Sequence, residues 1–130
     1  LEGTGKLSRE SYMHVLLLKN FKNIGATIHA HPQYCMVYAS QSKPIPNVTE
    51  ATMKRGMVEC IPYTKAYTKE LHEEIYKHWD SRRELAETYP IAAIMPLHGV
   101  VVSGPDLHSA YSMLERIEQD AMCGIFKNFI

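Results

Sequence analysis

The hydrophobic and polar positions fall into short blocks whose period changes several times, as it does when helices alternate with short strands. Ser8 reads as the N-cap of a helix running to about Lys19, with Tyr12, Val15, Leu16 and the stem of Lys19 on its buried side. A polar turn over 20–23 leads to a strand at about 24–31, relieved by small residues at Gly25, Ala26 and Ala30. Pro32 cannot donate to a ladder but suits the first turn of a helix, so residues 33–40 read as helical. A proline-rich loop at 43–47 follows, then one or two helical turns over 49–55 closed by Gly56.

Residues 57–62 alternate around Val58 and Ile61 as a short strand would. Thr68 caps a helix in which Leu71, Ile75 and Trp79 recur at helical spacing, with His72 and His78 placed as solvated or boundary positions. Arg82, Arg83, Glu84 and Glu87 read as a solvated charged face. Two apolar runs, 91–95 and 100–102, flank Pro96-Leu97-His98-Gly99 as strands meeting at a bend, with Gly99 granting a backbone angle closed to other residues. The last helix begins around Asp106 and carries a core stripe of Leu107, Ala110, Tyr111, Leu114, Ile117 and Ala121, with Gly124 ending it. The expectation is a single α/β layered domain spanning residues 1–130.

Composition narrows the classes. The chain has 130 residues, 45% hydrophobic and 22% charged, enough for one core of ordinary globular character. Lys plus Arg balances Asp plus Glu at 14 each, so no basic field points to nucleic acid or to an anionic membrane surface. No apolar run approaches the roughly 20 residues of a membrane span. Residues 1–6 lack the apolar core of a signal peptide, and Gly3-Thr4-Gly5-Lys6 has too few residues between its glycines for a phosphate loop. Three cysteines, Cys35, Cys60 and Cys123, show no C-x-x-C spacing and read as reduced thiols, mostly small buried hydrophobes, in a cytoplasmic protein. No Met opens the chain, so it is read as starting partway through something longer.

The chemistry collects around Thr27-Ile28-His29-Ala30-His31-Pro32. Side chains two apart on a strand share a face, so His29 and His31 can converge on one metal ion. His98 at the bend is a third nitrogen, and Glu10, four residues before His14 in the first helix, is a carboxylate. Three protein nitrogens with an open position are the mark of catalytic zinc.

Glu10 with His14, His-Ala-His-Pro at 29–32, Leu-His-Gly at 97–99, and the run S-G-P-D-L-x-x-A-x-x-x-L-E-x-I-E-x-x-A from Ser103 to Ala121 together resemble the class II aldolase/adducin family over nearly the whole chain. The resemblance implies a mostly antiparallel central sheet flanked by helices, here without its N-terminal portion, and a cyclic homotetramer with active sites between subunits. It implies that His29, His31 and His98 bind Zn2+ or another divalent metal, and that Glu10 is the acid/base of an aldolase-type lyase. Such a lyase cleaves a phosphorylated ketose to dihydroxyacetone phosphate and an aldehyde through a metal-stabilised enediolate. A dehydratase or epimerase of the same family, and a non-catalytic adducin-like interaction domain, are the alternatives. Ser8 matches the last part of the family's phosphate cradle. Arg9 departs from its usual Ser-Ser and either binds phosphate or marks a different substrate. Glu50 stands where the fuculose enzymes have a tyrosine, and the tail after Phe129 is short.

Overall fold

The computed structural model describes residues 3–130, so the first two positions of the 1–6 stretch lie outside the described residues. In chain order the elements are α1 (Ser11–Asn20), β1 (Ala26–Ala30), α2 (Gln33–Ser40), a 3-10 turn (Met53–Arg55), α3 (Lys69–Ser81), α4 (Arg83–Thr88), β2 (Ile91–Met95), β3 (Gly99–Gly104) and α5 (Leu107–Phe126), with a closing 3-10 turn at Lys127–Phe129. The three strands form one antiparallel sheet in the order β1-β3-β2.

Strand alternation divides the interior into two halves. Ile91, Ala93, Met95 and Val101 face a core built with Met13, Leu17, Phe21, Leu71, Ile75 and Trp79 from the α1/α3 side. Ala92, Ile94, Val100 and Val102 face the other core, with Ala39, Met113 and Ile117 from α2 and α5. Because β2 and β3 are buried at every position, Ile91–Met95 and 100–102 are apolar on both faces and read as continuous hydrophobic runs. In β1 the register sets His29 opposite Val101 and Thr27 opposite Ser103, which aims both side chains at the α1/α3 layer.

Polar clamps tie the layers together. Trp79 Nε1 donates to Ser103 Oγ at 2.7 Å inside the core, and His14 Nδ1 lies 2.6 Å from Thr27 Oγ1. Glu118 on α5 accepts from the backbone N–H groups of Tyr34 and Cys35, both at 2.9 Å, and so satisfies two of the donors that open α2. Thr68 caps α3 as expected, its hydroxyl accepting from Leu71 N, and Asp106 caps α5 by accepting from Ser109 N at 2.7 Å.

Several expectations need correction. Helix α1 starts at Ser11 with Glu10 at its N-cap. Ser8 lies in the preceding turn, where its Oγ accepts from Glu10 N at 3.2 Å. The buried side of α1 is Met13 and Leu17, whereas Tyr12 is 48% exposed and Lys19 is exposed. The run Val15-Leu16-Leu17-Leu18 is apolar nearly all round the helix, so its periodicity does not single out a face. Residues 57–62 form no strand. Val58 bridges Ile45 and Cys60 bridges Ile94, so the segment spends its hydrogen bonds on two different neighbours in turn.

The α5 stripe is rotated as well. Ala110, Met113, Ile117, Asp120 and Ala121 are buried, while Leu107 and Tyr111 are exposed. Gly124 lies inside that helix instead of ending it, and a Cβ there would stand 2.9 Å from Pro46 Cγ, so close packing requires the glycine. The 82–87 cluster is no mere solvated face. Glu87 accepts from Lys22 N at 2.8 Å and Asn23 N at 2.7 Å, and Arg83 donates to Asn20 O, which pins the α1–β1 turn. Of the cysteines, which are all free, Cys35 is buried and Cys60 and Cys123 are half-buried. Among the described residues no helix is long and apolar enough to cross a membrane.

Candidate metal centre

His29, His31 and His98 come together at one end of the sheet. One nitrogen from each lies within 4.8 Å of the others, and the ring centroids are 4.7, 4.8 and 5.5 Å apart. The strand register explains His29: it sits at the end of β1 on the α1/α3 side, and its Nδ1 donates to the carbonyl of Val100 at 3.0 Å. That bond fixes the ring and leaves Nε2 free as a ligand. His31 follows the strand immediately, is exposed, and stands just before α2, whose start Glu118 holds.

His98 is delivered by the tight β2–β3 turn. Its N–H bonds Met95 O at 3.1 Å, and the neighbouring Leu97 N–H bonds Ala39 O at 2.9 Å. The left-handed angle in this turn falls on Leu97, with φ 59°, and not on Gly99 as the sequence suggests. The glycine is there for space. A Cβ on it would stand 2.6 Å from His31 Cδ2, 2.7 Å from Ala30 O and 3.3 Å from His29 Cε1.

Electrostatics favour neutral imidazoles at His29 and His98. Burial, followed by the proximity of His29, pushes the His98 pKa below the ordinary histidine value. Burial is also the leading cause of a lowered His29 pKa, with His31 adding to it. Neutral rings keep their lone pairs for a cation. The donor set therefore fits a divalent metal: three imidazoles around one point, one of them on the solvent side, and a His98 Nδ1 that is buried without a hydrogen-bond partner.

Glu10 closes the site from the α1 side. It is only 3% exposed, and its Oε1 lies 3.9 Å from His98 Nε2 while accepting from Tyr67 N at 3.2 Å. Its Oε2 is 2.7 Å from His72 Nε2. His72 is buried, a correction to the solvated or boundary placement expected from sequence, and Tyr12 covers it with ring centroids 5.7 Å apart. Tyr67 carries a left-handed φ of 66°, and its ring lies 5.9 Å from that of His98. Non-glycine residues held in this region are strained and cluster at functional sites. Arg9 stacks over the Tyr67 ring at 3.8 Å, and both Ser8 and Arg9 are exposed beside Glu10.

The structure thus gathers Glu10, His29, His31 and His98, with Ser8 and Arg9 at their margin. It adds His72 and Tyr67, which sequence reasoning missed. The signal for His72 was present, because 72, 75 and 79 follow helical spacing and share a face with Ile75 and Trp79. Nothing in the residue types announces the backbone angle of Tyr67. His14 is held on Thr27 and is not one of the three convergent histidines, its pKa lowered mainly by burial and then by His29. A cleft of about 580 Å³ lined by Ser81, Arg82, Leu85 and Tyr89 lies where α3 meets α4, away from the histidines.

Comparison with known proteins finds relatives over nearly the whole chain. The L-fuculose phosphate aldolase of Methanococcus maripaludis is 28% identical over 125 residues, covering 95% of this chain and 64% of that protein. The 5-deoxy-D-ribulose 1-phosphate aldolase of Bacillus thuringiensis is 28% identical over 119 residues, covering 91% and 52%. The 3-oxo-tetronate 4-phosphate decarboxylase of Haemophilus influenzae is 28% identical over 127 residues, covering 93% and 57%. A solved structure of an L-fuculose 1-phosphate aldolase superposes with a TM-score of 0.83 at 29% identity, over 99% of this chain and 58% of that one. The chain therefore spans between about half and two thirds of the length of these relatives. Residues 1–124 match the Class II Aldolase and Adducin N-terminal domain, and the chain belongs to that family.

Proposed function

We propose that the protein is a zinc-dependent lyase that cleaves a phosphorylated ketose into dihydroxyacetone phosphate and an aldehyde. The observation that carries this reading is the placement of the buried Glu10 carboxylate, with Oε1 3.9 Å from His98 Nε2, beside three converging histidines. His29, His31 and His98 would hold a divalent cation, which would supply Lewis-acid stabilisation of the negative charge that develops on the substrate oxygens, a contribution of several kcal/mol.

The residues divide the remaining work. As the carbon–carbon bond one atom from the ketone breaks, the hydroxyl on the departing carbon gives its proton to solvent and becomes the aldehyde carbonyl, while the bond's electron pair stays as an enediolate on the dihydroxyacetone phosphate half. Glu10 delivers the proton that this carbon needs and takes it back in the condensing direction, a role typically giving 10²- to 10⁴-fold. Ser8 and Arg9 flank Glu10 on the solvent side, where they bind the substrate phosphate; the planar guanidinium suits two phosphate oxygens at once. The Tyr67 ring, between Arg9 and His98, forms a wall along the path from phosphate to metal.

A second reading is supported by the decarboxylase relative. Loss of carbon dioxide from a 3-oxo acid phosphate leaves the same enediolate, so the same residues serve either bond. A dehydratase or epimerase would use the same ligands as well. An adducin-like module would have no need of the three histidines and a buried carboxylate together, and both are present. The active assembly on this reading is a cytoplasmic homotetramer, with sites completed between subunits.

Product analysis tests the proposal. The full-length, metal-loaded protein is incubated with L-fuculose 1-phosphate, 5-deoxy-D-ribulose 1-phosphate and 3-oxo-tetronate 4-phosphate. Dihydroxyacetone phosphate together with an aldehyde is the expected result. Carbon dioxide as the co-product moves the assignment to decarboxylation, and the absence of dihydroxyacetone phosphate from every substrate overturns it.

A further inference from the structure

We propose that His72 is the positioning residue for Glu10, fixing the carboxylate so that Oε1 alone faces the three-histidine site. This rests on the reading of Glu10 as the acid/base. The two oxygens of Glu10 have separate partners: Oε2 meets His72 Nε2 at 2.7 Å, and Oε1 meets Tyr67 N at 3.2 Å on the side of His98. The side chains of His72 and Glu10 are 5% and 4% exposed, so water does not compete for that contact. With a carboxylate as acceptor, Nε2 carries the proton and donates it.

The fold prepares this contact from both ends. Glu10 sits at the N-cap of α1, where the backbone is fixed by the turn through Ser8. His72 is in the first turn of α3, which Thr68 caps with its hydroxyl on Leu71 N. The strained Tyr67 directly precedes that cap and contributes the N–H to Oε1. One short segment, 67–72, therefore holds both oxygens of a side chain that would otherwise turn about its own bonds. A proton-transfer group has to be held within about 0.5 Å of its working position.

The test compares wild type with His72→Ala, His72→Gln and Glu10→Gln in the full-length, metal-loaded protein. The assay substrate is whichever ketose phosphate the wild type cleaves, and metal content and thermal melting are read in parallel. The expected result for His72→Ala is a kcat lowered about 10- to 100-fold, with KM little changed and metal retained. His72→Gln, whose amide N–H can reach the same oxygen, is expected to recover most of kcat. A purely structural His72 would lower the melting temperature without separating kcat from KM.

Wild-type kcat in His72→Ala overturns the proposal, and so does a folded His72→Gln as impaired as Glu10→Gln. If His72→Ala does not fold, the Gln variant alone decides. Full activity in Glu10→Gln removes the acid/base reading itself, an outcome distinct from failure of the positioning role.

Discussion

Gly99 lies directly against His31: a Cβ on the glycine would stand 2.6 Å from Cδ2 of the imidazole. The same atom would meet Ala30 O at 2.7 Å, so the collision is with backbone as well as with a ring. Gly99→Ala is expected to destabilise by about 1–3 kcal/mol, as overpacking does. It should also push His31 out of the donor set. Isothermal titration of the metal-stripped protein with zinc checks this, and unchanged affinity would show that the histidines tolerate the displacement.

Glu118 opens α2 from a distance, with one carboxylate oxygen on Tyr34 N and the other on Cys35 N. Charged acceptors on backbone N–H groups make the stronger class of hydrogen bond. Glu118→Ala is expected to lower stability by about 1–3 kcal/mol and the melting temperature by several degrees. Glu118→Gln retains an acceptor and should lose less. Because His31-Pro32 runs straight into this helix, metal affinity is expected to fall in parallel with the melting temperature.

In the metal-free protein the pH dependence of stability follows from partly buried histidines, His29 and His98 at the site and His14 and His78 beyond it. Burial, with Arg82 adding to it, lowers the pKa of His78, whose Nε2 is buried without a partner. In the unfolded chain the group titrates near 6.5. As pH falls through that value the unfolded state takes up a proton that the folded state resists, so stability declines on the acid side. His14, lowered by burial and by His29, acts in the same direction. The melting temperature of the metal-free protein should fall between neutral pH and about pH 5.5, and His78→Gln should flatten the curve. A melting temperature that rises on acidification would contradict this assignment.

Much of the site was legible in the sequence because its signals are local. His29 and His31 share a strand face by period alone, and His98 stands in a turn that the prolines and glycines around it announce. The helices with strong caps and amphipathic spacing, α3 and α5, are also readable, although the α5 face was placed a few residues off. What escaped depends on contacts distant along the chain. His72 is buried against Glu10, which lies 62 positions away, and Gly99 is required by a histidine just past the end of another strand. Residues 57–62 have the alternation of a strand, but two neighbours share them, and only the assembled fold shows that.

Metal content, measured by elemental analysis on the purified wild type and on alanine variants of His29, His31, His98 and His72, tests the three-histidine site most directly. A stoichiometric divalent metal, with zinc foremost, is expected in wild type and in His72→Ala. The ion should be lost from each of the other three variants while their far-ultraviolet circular dichroism stays unchanged. Stoichiometric metal retained in folded His98→Ala would contradict the three-histidine site.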